Sequence, residues 1–174
     1  MVRQRRWASP AAGRVRSRGV TLIELMVTVA VAAILMAIAA PSFTSLLNNN
    51  RLTSAANEMV AAIQSARMEA IRGGSSVTAC SSANGESCGG SGMMVVLAAD
   101  GTILRQAPFD SRVRMDKWEI VFRPDGFARK TDGSLVNNSY SVCVAAGLTA
   151  QNVRSITLVA GSRVSTTSTS GACE

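Results

Sequence analysis

The sequence predicts an α+β fold, in which one long amino-terminal helix carries a carboxyl-terminal antiparallel β domain on its second half. Three observations predict it: an almost unbroken apolar run over residues 20–40, an apolar stripe at helical spacing from Leu52 to Ala70, and, after Gly74, short apolar segments separated by turn pairs. The domains that follow are a basic leader over residues 1–19, a membrane-length helix over 20–40, an amphipathic continuation over 41–74 and a β domain over 75–174.

The leader carries Arg3, Arg5, Arg6, Arg14, Arg16 and Arg18 with no acidic residue, and such a segment is retained in the cytoplasm. An ordinary secretory signal places its small-residue cleavage site after the apolar region. Here Gly19 stands between the arginines and the apolar run, so a cut after it removes the charges and leaves the anchor. The run is long enough to cross a bilayer once. Within it stands Glu24, an acid that is costly in lipid unless a cation neutralises it.

Pro41 removes one helical hydrogen bond and bends the helix without ending it. Beyond it Leu52, Ala55, Ala56, Met59, Ala62, Ile63, Ala66 and Ala70 recur three and four residues apart, opposite Asn57, Glu58, Gln64, Arg67 and Arg72. Gly73-Gly74 is the expected stop. At about 1.5 Å per residue, a continuous helix from Val20 to Arg72 would be about 80 Å long.

Residues 77–80, 93–97, 103–106, 118–123, 140–144 and 156–159 read as strands. Asn84-Gly85, Asp100-Gly101, Asp125-Gly126 and Asp132-Gly133 supply tight turns, so antiparallel meanders forming one sheet against the helix are expected. Trp118, Phe122, Phe127 and Tyr140 are expected to anchor the core.

Cys80, Cys88, Cys143 and Cys173 all follow the anchor, and if the carboxyl-terminal domain lies outside the cytoplasm disulfides are the default. Three pairings are open. Cys80–Cys88, closing a short loop, and Cys143–Cys173, tying down the tail, are favoured because each links nearby or terminal elements. Zinc is the competing reading, but there is no histidine and the spacings lack close cysteine pairs, so no metal is expected.

Gly19-Val20-Thr21-Leu22-Ile23-Glu24-Leu25-Met26 resembles the class III signal of type IV prepilins and type II secretion pseudopilins. The family usually has Phe where this chain has Val20. The resemblance implies that a prepilin peptidase cuts after Gly19 and N-methylates Val20, and that Glu24 pairs with the free amino terminus of a neighbouring subunit. It further implies a single-pass protein of the bacterial inner membrane with a cytoplasmic amino terminus and a periplasmic β domain. Pro41-Ser42-Phe43, Asn48-Asn49-Asn50-Arg51-Leu52 and Ser65-Ala66-Arg67-Met68-Glu69-Ala70-Ile71 are similar to the GspH/FimT group of minor pilins and H-type pseudopilins, and the rest of the chain matches more loosely. That group implies a pilin-like subunit priming or capping a type II secretion pseudopilus or a type IV pilus. For Asn48–Arg51, a solvated helix surface and an inter-subunit contact are both open readings.

The chain is +7, with 18 basic and 11 acidic residues, but six of the arginines lie in residues 1–19; twelve against eleven then remain, or +1. The charge is therefore largely a targeting signal rather than a nucleic-acid surface. The alternative function is DNA uptake: some FimT proteins carry, near the carboxyl terminus, a glycine followed by two arginines that contact DNA backbone. Here Gly161-Ser162-Arg163 has one arginine, Arg154 is the second candidate, and Ser165–Ser170 reads as a flexible tail. Arg112, Arg114 and Lys117, diluted by Asp110 and Asp116, read as a solvated loop. An enzyme is not expected, because there is no histidine and no phosphate-cradling glycine loop, and each of Asp100, Asp125 and Asp132 precedes a turn glycine. No cofactor is implied.

Overall fold

The structure is a computed structural model in which residues 19–130 and 132–173 are described, so the basic leader up to Arg18 lies outside the described residues. The chain forms two compact units, one ending at Ala39 and the other beginning at Ala40. A single helix, α1 (Leu22–Gly73), runs through both and through Pro41. Gly74, at φ 61°, takes the left-handed conformation that ends it.

In the second unit α1 buries Leu52, Ala55, Ala56, Met59, Ala62, Ile63, Ala66 and Ala70, the stripe expected from periodicity, and adds Asn48. The five alanines leave room for sheet side chains to approach the helix. Eight antiparallel strands follow. One sheet has the order β3-β2-β1-β5, from β1 (Val77–Ser82), β2 (Met93–Ala98), β3 (Ile103–Pro108) and β5 (Glu119–Phe122). The second has the order β4-β6-β7-β8, from β4 (Arg114–Met115), β6 (Asn138–Cys143), β7 (Val153–Val159) and β8 (Arg163–Thr169).

Two sheets therefore stand where one was expected. β1–β2–β3 is a meander of the expected kind and β6–β7 an expected antiparallel neighbour pair, but β5 returns to β1 and β4 to β6, and pairings so distant in sequence leave no mark in local alternation. Both inner faces meet α1 in one core: Val77, Ile120 and Phe122 from the first sheet, Val142, Ile156 and Leu158 from the second, around Leu52, Met59 and Ile63.

Trp118 and Tyr140 are buried with ring centroids 6.1 Å apart, and Phe122 is fully buried. Phe127 differs from expectation. It is 36% exposed, because it sits directly after the Asp125-Gly126 turn at the domain surface. Gly126 is required there: at φ 77° a Cβ would stand 2.8 Å from Ile71 Cδ1.

The expected tail is also a strand. β8 pairs with β7 over seven consecutive residues, from Val153↔Thr169 to Val159↔Arg163. Ala160 and Gly161, both at positive φ, reverse the chain between them in the manner of a type I′ turn. Alternation at Val164 and the β-branched threonines provides the strand propensity that the polar composition obscures.

The sulfurs of Cys80 and Cys88 are bonded, as are those of Cys143 and Cys173, with Cα separations of 5.6 and 5.7 Å. The first closes the loop between β1 and β2. The second fastens the residues after β8 to the end of β6, where Asn152 also grips Gly171 through both its amide nitrogen and its carbonyl oxygen.

Candidate functional site

The start of α1 carries the residues expected to serve processing and assembly. Gly19 and Val20 precede the helix in exposed chain, and Thr21 caps it: the Thr21 hydroxyl accepts the Glu24 N–H at 3.3 Å while the Thr21 carbonyl accepts Leu25 N–H at 3.1 Å. Thr21-x-x-Glu24 thus has capping-box spacing, with the Thr21 half of the pair formed, a signal present in the sequence that the reading of Glu24 as an unpaired acid passed over. Glu24 lies in the first turn, where the positive end of the helix dipole favours an anion.

Around and beyond Glu24 the helix is apolar on every side. Residues 20–38 present Val20, Leu22, Ile23, Leu25, Met26, Val27, Val29, Val31, Ile34, Leu35, Met36 and Ile38, all exposed. The stretch is long and apolar enough to cross a membrane, with mean hydropathy 2.6 over its most apolar window. A helix that is hydrophobic all round has no single core to face.

Gly19 differs in kind from the domain's structural glycines. A Cβ there would meet no atom within 4 Å, and its φ lies outside the left-handed range. At Gly161, by contrast, φ is 64° and a Cβ would come within 2.5 Å of the Ala128 carbonyl oxygen. Among the described residues, nothing requires a glycine at position 19.

The Asn48–Arg51 segment fits neither of its two readings as a whole. Asn48 is buried and its side-chain Oδ1 accepts Arg51 Nη1 at 3.1 Å; Arg51 Nε in turn lies 3.0 Å from Asp110 Oδ2. Asn49 Oδ1 accepts Arg154 Nη2 at 2.6 Å. One helical turn therefore fastens α1 to the loop after β3, through Asp110, and to the start of β7, through Arg154, and Glu58, ion-paired with Arg105 of β3, adds a third tie. Such long-range partners carry no signal in local sequence.

The same contacts remove Arg154 from the surface. It is 8% exposed, and its Nη1 donates to the carbonyls of Gln151 and Val153 at 2.9 and 3.2 Å. Arg163 is exposed, but the register sets Arg154 opposite Ser168 and Arg163 opposite Val159. The two arginines are separated along the sheet by about 17 Å, at about 3.4 Å per residue, and project to opposite faces. They do not form one DNA-binding site, which corrects that expectation for Arg154. Arg112, Arg114 and Lys117 are exposed, while Asp110 pairs with Arg51 and Asp116 accepts the Ser141 N–H at 2.8 Å.

The turn acids have local work. Asp100 lies below its ordinary 3.8 because it accepts the Thr102 N–H; Asp125 is lowered by the Phe127 N–H and then Arg129; Asp132 is lowered by the Ser134 hydroxyl and N–H.

Residues 55–165 match the family described as type II transport protein GspH, and residues 14–40 match the prokaryotic N-terminal methylation motif. No curated protein sequence matches the chain significantly. Among solved structures, the type IV minor pilin FimU of Pseudomonas aeruginosa is similar, at 17% identity and a TM-score of 0.48 over 67% of this chain and 88% of that one. With more than half of its length matched, the chain belongs to the GspH family and is a pilin-like subunit of the GspH/FimT type with an N-terminal methylation motif.

Proposed function

We propose that this chain is a minor pilin or pseudopilin that a prepilin peptidase cuts after Gly19 and N-methylates at Val20. The helix over residues 20–40 then holds it in the bacterial inner membrane, amino terminus cytoplasmic and β domain periplasmic. From there it is extracted into a type II secretion pseudopilus or a type IV pilus, which it primes or caps beside other subunits. Glu24 meets the amine of a neighbour during that step: a carboxylate and an ammonium that are each costly in an apolar setting are tolerable together.

The observation that carries this reading is the contrast at position 19. A glycine that the described fold does not need, set just before a capped helix whose first half is apolar apart from Glu24, is accounted for by an enzyme that reads it. Gly19→Arg is expected to abolish processing, so the full-length precursor accumulates on a gel; mature protein from that variant would sink the leader assignment. Glu24→Ala is expected to leave cleavage largely intact and to deplete the subunit from sheared filaments. Normal incorporation would remove Glu24 from the mechanism.

The DNA-uptake reading retains Arg163 alone. Backbone attraction grows with the number of phosphates neutralised, so one exposed arginine supports only weak, salt-sensitive binding. Gel shifts with and without Arg163→Ala test it.

A further inference from the structure

The second unit begins at Ala40, and its first helical turns present a mixed surface. Phe43 and Leu46 are 61% and 54% exposed, and Leu47 and Leu148 are exposed as well. Hydroxyls and cations lie between these apolar side chains. Ser42, Ser45, Leu46 and Asn49 of α1, with Thr149 and Gln151 of the loop before β7, line an open cavity of about 370 Å³. A second cavity, of about 310 Å³, lies between Thr44, Leu47 and Arg51 of α1 and, from two loops, Arg112 and Leu148.

The fold leaves two groups here without their natural partners. Thr149 Oγ1 is buried and makes no hydrogen bond among the described residues. Arg154 is buried and bonded to Asn49 and to the Gln151 carbonyl, two residues that line the first cavity, but no carboxylate among the described residues neutralises it. Around the two cavities Arg51, Arg112 and Arg154 stand against Asp110 alone, three positive charges against one negative. A buried hydroxyl without an acceptor and a buried cation without an anion are both costly, and an acceptor-rich anion relieves both. Guanidinium groups and hydroxyls suit a phosphodiester, and the apolar side chains between them suit the acyl chains attached to it.

The helix itself indicates where that phosphodiester comes from. α1 is uninterrupted through Pro41, and the membrane-length run over residues 20–40 immediately precedes these positions. At about 1.5 Å per residue, Ser42, Thr44 and Ser45 follow Ala40 by about 3 to 8 Å, and the headgroup layer outside a bilayer's hydrocarbon core is about 5–8 Å deep. Side chains on a helix tilt toward its amino terminus, so Asn49 and Arg51 lean back toward that layer.

We propose that this end of the domain seats the phosphodiester headgroup of a membrane phospholipid, net-anionic lipids being preferred, and that Thr149 and Arg112 hold it. Such a seat rests on the membrane reading of residues 20–40 proposed above, and it holds the waiting subunit by its domain as well as by its helix.

The test uses the full chain, with photoreactive benzoylphenylalanine in place of Leu148, reconstituted into vesicles of phosphatidylcholine and phosphatidylglycerol in equal parts. Mass spectrometry of the irradiated protein is expected to find lipid adducts enriched in phosphatidylglycerol. Arg112→Ala, at an exposed side chain, reduces that enrichment about fivefold. Thr149→Val reduces the adduct yield about threefold while leaving the melting temperature at or above that of the native chain, because the hydroxyl it removes has no partner within the fold. Benzoylphenylalanine in place of Phe127, beside Ile71 and so about 45 Å along α1 from Ala40, gives no lipid adduct. Inorganic phosphate leaves the native adduct in place, since the bilayer presents its headgroups at high local concentration. Equal adducts of the two lipids, an enrichment or yield that survives both substitutions, equal yields from positions 148 and 127, or loss of the adduct to inorganic phosphate would each overturn the proposal. Vesicle flotation separates the two failures: a chain that floats without an adduct at position 148 overturns the headgroup seat alone, whereas a chain that does not float overturns the membrane reading and the seat with it.

Discussion

Two stretches of one helix use similar residues in opposite ways. Over residues 22–38 the apolar side chains cover the whole circumference and all the large ones are exposed; over 48–70 most lie in one stripe, with Met68 outside it, and Leu52, Met59, Ala66 and Ala70 are fully buried. Hydrophobicity alone does not distinguish the two. Angular distribution does: a stripe is matched to one surface, here the joint core of two sheets, whereas an all-round apolar cylinder requires a surrounding medium, lipid or a bundle of like helices. Polar side chains follow the same division. Asn48, Asn49, Arg51 and Glu58 all find partners within the domain, whereas among the described residues the acid of the first stretch, Glu24, has no side-chain partner and lies in the first turn of its helix.

The largest effect that would break this comparison comes from exchanging a side chain between the two environments. Met59→Ala or Leu52→Ala is expected to destabilise the domain by about 2–5 kcal/mol, because a fully buried side chain leaves both lost contacts and a cavity. Leu35→Ala, in the exposed stretch, is expected to leave the domain's melting temperature unchanged. Thermal denaturation followed by near-ultraviolet dichroism checks both, and equal shifts would show that the two stretches do not differ as described.

Removal of the Cys143–Cys173 cross-link, by Cys143→Ser with Cys173→Ser, is expected to cost about 2–4 kcal/mol by freeing the unfolded chain, and to release β8 first. Loss of exchange protection spread evenly over both sheets would contradict the second part.

Asn49→Ala is expected to cost about 1–3 kcal/mol, since it leaves the Arg154 guanidinium buried with one hydrogen bond fewer. Asn50→Ala, at the exposed neighbouring position, is the control and should be silent in the same melt.

The smallest effect is on pH dependence and belongs to the domain alone. Asp100, Asp125 and Asp132 have folded pKa values below the ordinary 3.8, so the stability they contribute is present above that value and is lost as pH falls through the depressed folded values. The triple Asp→Asn variant keeps the turn geometry but removes the charge. Its melting temperature should decline less steeply below about pH 3.8 than that of the native chain.

Local patterns were legible and distant pairings were not. The stripe from Leu52 to Ala70 could be read because a helix fixes the facing of every residue within a turn or two, and the meanders because Asx-Gly pairs dictate reversals over four residues. β8 was obscured because Ser and Thr serve loops and strands alike, and only β7 beside it turns that run into a strand. Arg154 looked like a surface charge for a similar reason: its partner Asn49 is 105 residues away.

By itself the sequence determined the capped apolar helix, its glycine junction and acid, the amphipathic stripe and the turns. Each of these depends on neighbours within a few positions, where steric and hydrogen-bonding rules act without knowledge of the rest of the chain. Only the tertiary structure decided that the strands divide into two sheets, and that Asn48, Asn49 and Arg51 tie α1 to the β domain while Asn50 between them stays exposed. Those outcomes depend on which surfaces remain after every other strand has paired, a competition across the whole chain that no local pattern encodes.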